Sequence, residues 1–397
     1  MNAMNEDIDY ESWAYLNRVV EGPSYEVQRL LAEGKSVGEL VHGIKTRASW
    51  LGKLGPATET RWDWDRAQED LYIAREMGAR LVTPESREWP RQEFDQAFGF
   101  AASGLSEHIR SYQEDAFPPH GLWVRGEDLS TVIAQSVAVV GTRAISRYGH
   151  DATRMIVKDL ASAQWTVVSG GALGVDTVAH QTALEIGAPT VAVQACGIDQ
   201  VYPARNKNLF SDIAQRPGRG CIVTEYPPEM PPHRHRFLTR NRLVAALTKG
   251  TVVVEAGWRS GALNTLSWAE GLGKVPMAVP GPITTNGSLG CNARLKEPTT
   301  QLVTSGEDVR ELLSPVGDVD AQAQLEIQFD ASPIQKLTRN ELRVFDAMEL
   351  EEGKTAEDIA TSAGLTLALT IHILVALQNI GLVHRAGVRW QRRQYED

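Results

Sequence analysis

The 397-residue sequence predicts an α/β fold: a doubly wound parallel sheet, preceded by a helical domain and followed by a winged helix. Three observations carry this. Between Ser136 and Val279, short Val- and Ala-rich runs alternate with helical stretches, the pattern of a parallel sheet with helices on both faces. Runs such as VAVV (137–140) and TVVVEA (251–256) are apolar at successive positions, as strands buried on both faces are. The two ends of the chain lack that alternation and show helical spacing instead.

The elements follow in order. YESWAYLNRVV, YEVQRLLAEG, SVGELVHGI and WDRAQEDLYIAREMG are helical segments punctuated by Gly34, Gly43, Gly52 and Gly55, giving an N-terminal helical domain over 1–80. ARLVTP and HGLWVRG (120–126) are short strands. The main domain, 81–314, then places strands at Ser136–Val140, Trp165–Ser169, Pro189–Gln194, Cys221–Thr224, Thr251–Glu255 and Pro276–Val279. Helices are expected at Arg147–Ala163, Val175–Ile186, Lys207–Gln215, Leu238–Leu247 and Leu263–Gly271. An Asp-, Ala- and Gln-rich stretch over 315–334 reads as a linker. From 335 to 397, three helical segments and the hairpin pattern LVHRAGVRWQ make a winged helix–turn–helix.

Composition excludes several classes. Apolar residues are 42% and charged residues 23%, which is neither disordered nor collagen-like. Cys196, Cys221 and Cys291 are too few and too scattered for a disulfide framework or a zinc site, so no metal is expected. The N-terminus is acidic, and the longest apolar stretch, Leu365–Leu377, is too short to span a bilayer, so the expectation is a cytoplasmic protein with no membrane partner. The net charge of −10 is unevenly spread: residues 1–140 carry −9, residues 141–300 carry +6 and residues 301–397 carry −7. A basic middle between acidic ends suggests an anionic ligand for the middle.

In a doubly wound sheet, ligands sit at the carboxyl ends of the strands, and the distinctive segments fall there. Gly141-Thr142-Arg143 follows the first strand of the run and offers a planar fork of donors for phosphate. Ser169-Gly170-Gly171-Ala172-Leu173-Gly174 opens a helix whose N-terminal amides form an anion cradle. It is neither a Walker A loop nor GxGxxG. Lys207 and Phe210, on the segment that also holds Tyr202 and Arg205, provide a charge and a ring suited to holding single-stranded nucleic acid. Arg240-Asn241-Arg242 lies on another helix. His233 and His235 lie among Arg234 and Arg236 and read as a positive loop, and the lone helical His180 reads as structural. Glu255 ends a strand and is read as pairing with an arginine or as structural, the alternative being a base.

Together VGTR (140–143), SGGALGVDTVAH (169–180), GIDQVYPARNKNL (197–209), TEYPP (224–228), RNRLVAAL (240–247), SGALNT (260–265) and VPG…SLGCN (279–292) resemble the bacterial DNA-processing protein A family, DprA or Smf. The likeness is strong over about 120–300. It implies an extended Rossmann-like domain that binds single-stranded DNA, and an N-terminal domain of the SAM-like type. It also implies a homodimer that loads the recombinase RecA onto DNA during natural transformation. Neither catalysis nor a cofactor is implied. On this resemblance Arg143, Lys207 and Phe210 are DNA contacts and Gly170–Gly171 is a phosphate-facing loop; Gly141, Thr142, Ser169, Arg240, Asn241 and Arg242 complete the candidate set.

Two rival readings remain. A nucleotide-hydrolysing Rossmann-like enzyme would use Glu255, Glu270 and Arg259, but EAGWRSGALNTLSWAE does not fit the glycine–glutamate signature PGGxGTxxE. A winged-helix transcription factor would need donors on its recognition helix, yet Thr366–Asn379 has no Lys or Arg. That module reads instead as a protein-contact or wing-contact element.

Overall fold

Capping side chains set the first helices. Asp9, Ser24 and Ser36 each accept a hydrogen bond from a first-turn amide of α1 (Tyr10–Val19), α2 (Tyr25–Ala32) and α3 (Val37–Thr46), supplying acceptors the helix lacks. The structure is a computed structural model; it describes residues 8–106, 113–314, 337–349 and 353–393. The chain forms two units, Met1–Val319 and Asp320–Asp397.

In the first unit, α4 (Leu54–Ala57) and α5 (Ala67–Glu76) complete the N-terminal helices. Then follow β1 (Ala79–Val82), α6 (Arg91–Ala102), β2 (Leu122–Gly126) and α7 (Leu129–Ile133). The expected alternation comes next: β3 (Ser136–Val140), α8 (Arg147–Ser162), β4 (Thr166–Ser169), α9 (Val175–Ile186), β5 (Thr190–Val193), α10 (Lys207–Gln215), β6 (Gly220–Thr224) and α11 (Arg234–Ala246). It closes with β7 (Gly250–Val253), α12 (Gly261–Gly271), β8 (Val275–Ala278), α13 (Leu289–Arg294), β9 (Gln301–Leu302) and α14 (Gly306–Leu313). The nine-stranded sheet runs β1-β2-β6-β5-β4-β3-β7-β8-β9. Strands β3 to β9 pair in parallel, while β1 and β2 extend the β6 edge antiparallel. The order reverses at β3, which has β4 on one side and β7 on the other, so the carboxyl ends of β3 and β7 open a crevice.

The strand chemistry fits this placement. Val137 and Val139 pack with α8 and α9 on one face, and Ala138 and Val140 pack with α6, α11 and α12 on the other. The sequence missed α6, α7, α13, α14, the two-residue β9 and the first turn of α11, which begins at Arg234.

The N-terminal helices share a core with the sheet. Trp13, Tyr15, Leu16 and Ile44 pack in one cluster with Trp123, Ile198, Phe210 and Ile222. Buried polar bonds reinforce it. Asn17 donates to the Glu225 carbonyl (2.9 Å) and accepts from the Trp123 indole (2.9 Å). Arg18 pairs with Asp70 at 2.5 Å and donates to the Pro228 carbonyl at 2.8 Å.

The second unit contains α15 (Arg339–Asp346), β10 (Lys354–Thr355), α16 (Ala356–Ala363), α17 (Leu367–Asn379), β11 (Val383–Ala386) and β12 (Arg389–Arg392). Val344, Phe345, Ile359, Leu374, Leu377 and Trp390 form its core. Its antiparallel sheet is ordered β10-β12-β11, which matches the helix and hairpin order expected, with β10 added. The linker expected over 315–334 lies outside the described residues. Among the described residues, no single helix is long and apolar enough to cross a membrane.

The Arg242–Glu225 pair (2.5 Å) is almost fully buried, so removing one partner strands the other charge. Glu225→Leu is expected to lower unfolding free energy by about 3–5 kcal/mol in urea titrations. Arg242→Met combined with Glu225→Leu is expected to recover most of that loss.

Candidate functional site

Three loops meet at the carboxyl ends of β3, β4 and β7. The Thr142 amide donates to the Glu255 carbonyl (2.6 Å), and the Thr142 carbonyl accepts from the Val175 amide (3.2 Å). Glycine permits this approach: a Cβ on Gly141 would collide with Val175, and one on Gly174, at φ +87°, would collide with the Thr142 carbonyl. The Glu255 carboxylate then accepts from the Ser146 amide (3.0 Å) and hydroxyl (3.1 Å), fixing the far end of the loop that carries Arg143. Glu255 thus has the structural role read from the sequence, bonded to a serine rather than an arginine.

These loops and α11 enclose a cleft of about 630 Å³ at the switch point. Arg143, Arg234 and Arg240 line it, against a single carboxylate among the described residues, Asp176. Arg143 and Arg234 are exposed and have no ion pair among the described residues. The Arg143 guanidinium lies 5.6 Å from the centre of the Phe237 ring, which packs in turn against Tyr202 at 5.3 Å. The floor is more nearly neutral. Burial pushes the Asp176 carboxyl above the usual carboxylate range against the pull of Arg240, and burial likewise lowers Arg240.

The structure brings some sequence candidates to the cleft and withdraws others. Gly141, Arg143, Gly170, Arg240 and Asn241 line it, and Thr142 is the junction beside it. Lys207 is exposed at the start of α10, outside the cleft lining. Ser169 is buried, and its hydroxyl donates to the Val139 carbonyl (2.7 Å). Arg240 is also buried and donates to the carbonyls of Gly170 and Val193. Asn241 bridges to Asn264 (3.0 Å), tying α11 to α12.

Four residues correct the sequence reading: Ser169, spent on the Val139 carbonyl, with Phe210, Arg242 and Gly171. Phe210 is 1% exposed; its ring fills the space beside Gly171, where a Cβ would strike it, so it has no free face for a base. Arg242 is 0% exposed and paired with Glu225, so it cannot neutralise phosphate. Gly171 therefore serves close packing, with its carbonyl accepting from the Asn206 side-chain Nδ2 (3.0 Å). Arg236, from the basic loop, is likewise committed to Glu21 at 2.7 Å. What the sequence underweighted is Arg234, which the additional turn of α11 carries to the cleft.

No group of three or more His, Cys, Asp or Glu among the described residues is placed to hold a metal ion. Of the enzyme suspects, Glu255 is engaged as above, Glu270 accepts from Arg294 (2.7 Å), and Arg259 is exposed.

The family model for DNA recombination-mediator protein A matches residues 80–314. A Mycobacterium tuberculosis protein named as a DNA processing protein DprA is 38% identical over 383 residues, covering 96% of this chain and 93% of its own length. The chain belongs to the DNA recombination-mediator protein A family. Within it, Streptococcus pneumoniae DprA is 40% identical over 173 residues, 44% of this chain and 60% of its own. The crystal structure of DprA from that organism superposes with a TM-score of 0.61 at 27% identity, covering 79% of this chain and all of the other. The family assignment, the extended Rossmann-like fold and the helices flanking its sheet agree with the sequence expectation.

Two buried histidines give the domain a pH dependence. Burial, helped by the charge of Arg242, pushes His120 from 6.5 down to about 4; burial and Arg240 push His180 down to about 3. Both are neutral when folded. Below pH 6.5 the unfolded chain binds protons that the folded chain refuses, so stability is full above 6.5 and falls as pH drops towards 4. Each histidine adds a slope of about 1.4 kcal/mol per pH unit within that window. Urea midpoints at pH 7.5, 6 and 5 are expected to fall in sequence, and less steeply in His120→Gln.

Proposed function

We propose that this protein binds single-stranded DNA in the cleft at the β3–β7 switch point. As a homodimer, it acts as a recombination mediator that protects incoming strands and loads the recombinase RecA during natural transformation. The observation that carries the reading is the pair Arg143 and Arg234, exposed, without an ion pair, and on a cleft with one carboxylate, all among the described residues. The family membership supports the recombination role.

The mechanism is electrostatic and geometric. Arg143 and Arg234 neutralise successive phosphates, with Arg205 and Lys207 extending the positive track on the neighbouring segment. Gly141 and Gly170 line the same cleft, where backbone can meet the strand. Two copies in a dimer present two such clefts to one strand and raise affinity on longer DNA. A second surface passes the strand to RecA. The apolar outer face of α17, with Leu367, Ile371 and Val375 exposed and no Lys or Arg, suits contact with protein better than reading of a duplex groove.

Fluorescence anisotropy of labelled oligo-dT and a matched duplex across a salt series tests the site. Wild type is expected to prefer the single strand. Arg143→Ala is expected to bind about tenfold more weakly and to lose about 0.7 from the log–log salt slope for each phosphate contact removed. Equal binding of both DNAs, or an unchanged mutant, would sink the site. RecA assembly on the strand is expected to be accelerated by wild type and not by Arg143→Ala.

A further inference from the structure

We infer that Trp258, with Arg259 beside it, is a base-stacking platform at the rim of the cleft. The inference rests on the single-strand reading above and names where a base sits. Trp258 is 68% exposed, a large ring left in water. Its place gives that exposure a use. The Ser260 amide donates to the Gly257 carbonyl (3.1 Å), closing a turn with Trp258 and Arg259 at its two corner positions. The turn joins β7 to α12, and its last residue, Ser260, caps α12 and lines the cleft with Gly261.

The backbone under the platform is tightly held. The Gly290 amide donates to the Ala256 carbonyl (2.8 Å), and a Cβ at Gly290 would collide with the carbonyls of both Ala256 and Gly257. A rigid turn with free corner side chains positions a ring at little entropic cost. Arg259 is exposed and has no ion pair among the described residues. A ring that accepts a base next to a guanidinium that neutralises a phosphate is the pairing that holds single strands without reading sequence.

Two other rings near the cleft are spoken for. Phe210 is buried beneath Gly171, and Phe237 lies between Arg143 and Tyr202. Tyr202 sits on the β5 side of the cleft and Trp258 on the β7 side. The sheet order β5-β4-β3-β7 sets these strand ends three spacings apart, about 15 Å. A strand crossing the carboxyl ends passes Arg143 between its two aromatic rims.

The test compares labelled oligo-dT with an abasic strand of equal length, for Trp258→Ala, Trp258→Phe and Arg143→Ala, with solution mass by light scattering. Trp258→Ala is expected to weaken oligo-dT binding about tenfold and leave the abasic strand and the salt slope unchanged, with Trp258→Phe recovering most of the loss. Wild-type binding by Trp258→Ala, with binding lost in Arg143→Ala, overturns the platform and leaves the cleft reading intact. Unchanged binding in Arg143→Ala overturns the cleft reading itself. A fall in mass with equal loss on both strands makes Trp258 a contact between copies and also overturns the platform.

Discussion

The loops at the switch point converge on the backbone of Thr142. Its amide and carbonyl are spent on the loops after β7 and β4, so the three strand ends are joined through the backbone of one residue. Such close approach tolerates no side chain at Gly141 or Gly174. Glu255 extends the tie: its backbone takes the Thr142 amide while its carboxylate holds Ser146, anchoring both ends of the loop that presents Arg143. The position of a cation whose use is electrostatic is therefore set by hydrogen bonds to its neighbours in the loop, Thr142 and Ser146.

The sheet was legible because its strands are apolar on both faces and its helices are long enough to be periodic. The site was legible only in part, and α11 shows why. RNR at 240–242 reads as three neighbouring donors, but successive helical residues point about 100° apart. Packed against the sheet, α6 and α12, α11 buries Arg240 against carbonyls and Arg242 against Glu225. Phe210 misleads for the same reason. Its spacing fits packing and stacking equally, and only the cluster with Trp13, Tyr15 and Trp123 decides between them. The N-terminal helices carried no chemical signature in the sequence, yet Asn17 and Arg18 bond to the carbonyls of Glu225 and Pro228 in the segment leading into α11.

That packing also sorts the basic excess of the middle region. Arg236 and Arg242 are spent on Glu21 and Glu225, Arg154 on Glu185 and Arg294 on Glu270. Of the exposed cations without an ion pair among the described residues, Arg143, Arg234, Arg205, Lys207 and Arg259 lie on segments that follow carboxyl ends of strands, whereas Lys158 lies within α8 and Lys249 just before β7. A net charge of −10 for the chain is thus compatible with a positive cleft, because the acidic residues concentrate in the two flanking regions.

The division between floor and rim bears on how a mediator would work. At the floor, Arg240 is buried, bonded to carbonyls and balanced by Asp176, so it adds shape more than attraction. At the rim, the cations are hydrated and screened, and each contact with phosphate is individually weak and salt-sensitive. A deep, dry charge pocket would hold one phosphate tightly and release it slowly. A rim of exposed arginines and an exposed ring instead gains affinity by summing many contacts along the strand. Such contacts can be surrendered one at a time as a recombinase advances. On that argument the burial of Phe210 and Arg242 suits the proposed role, since it moves the binding surface outward to where a strand can be both held and handed on.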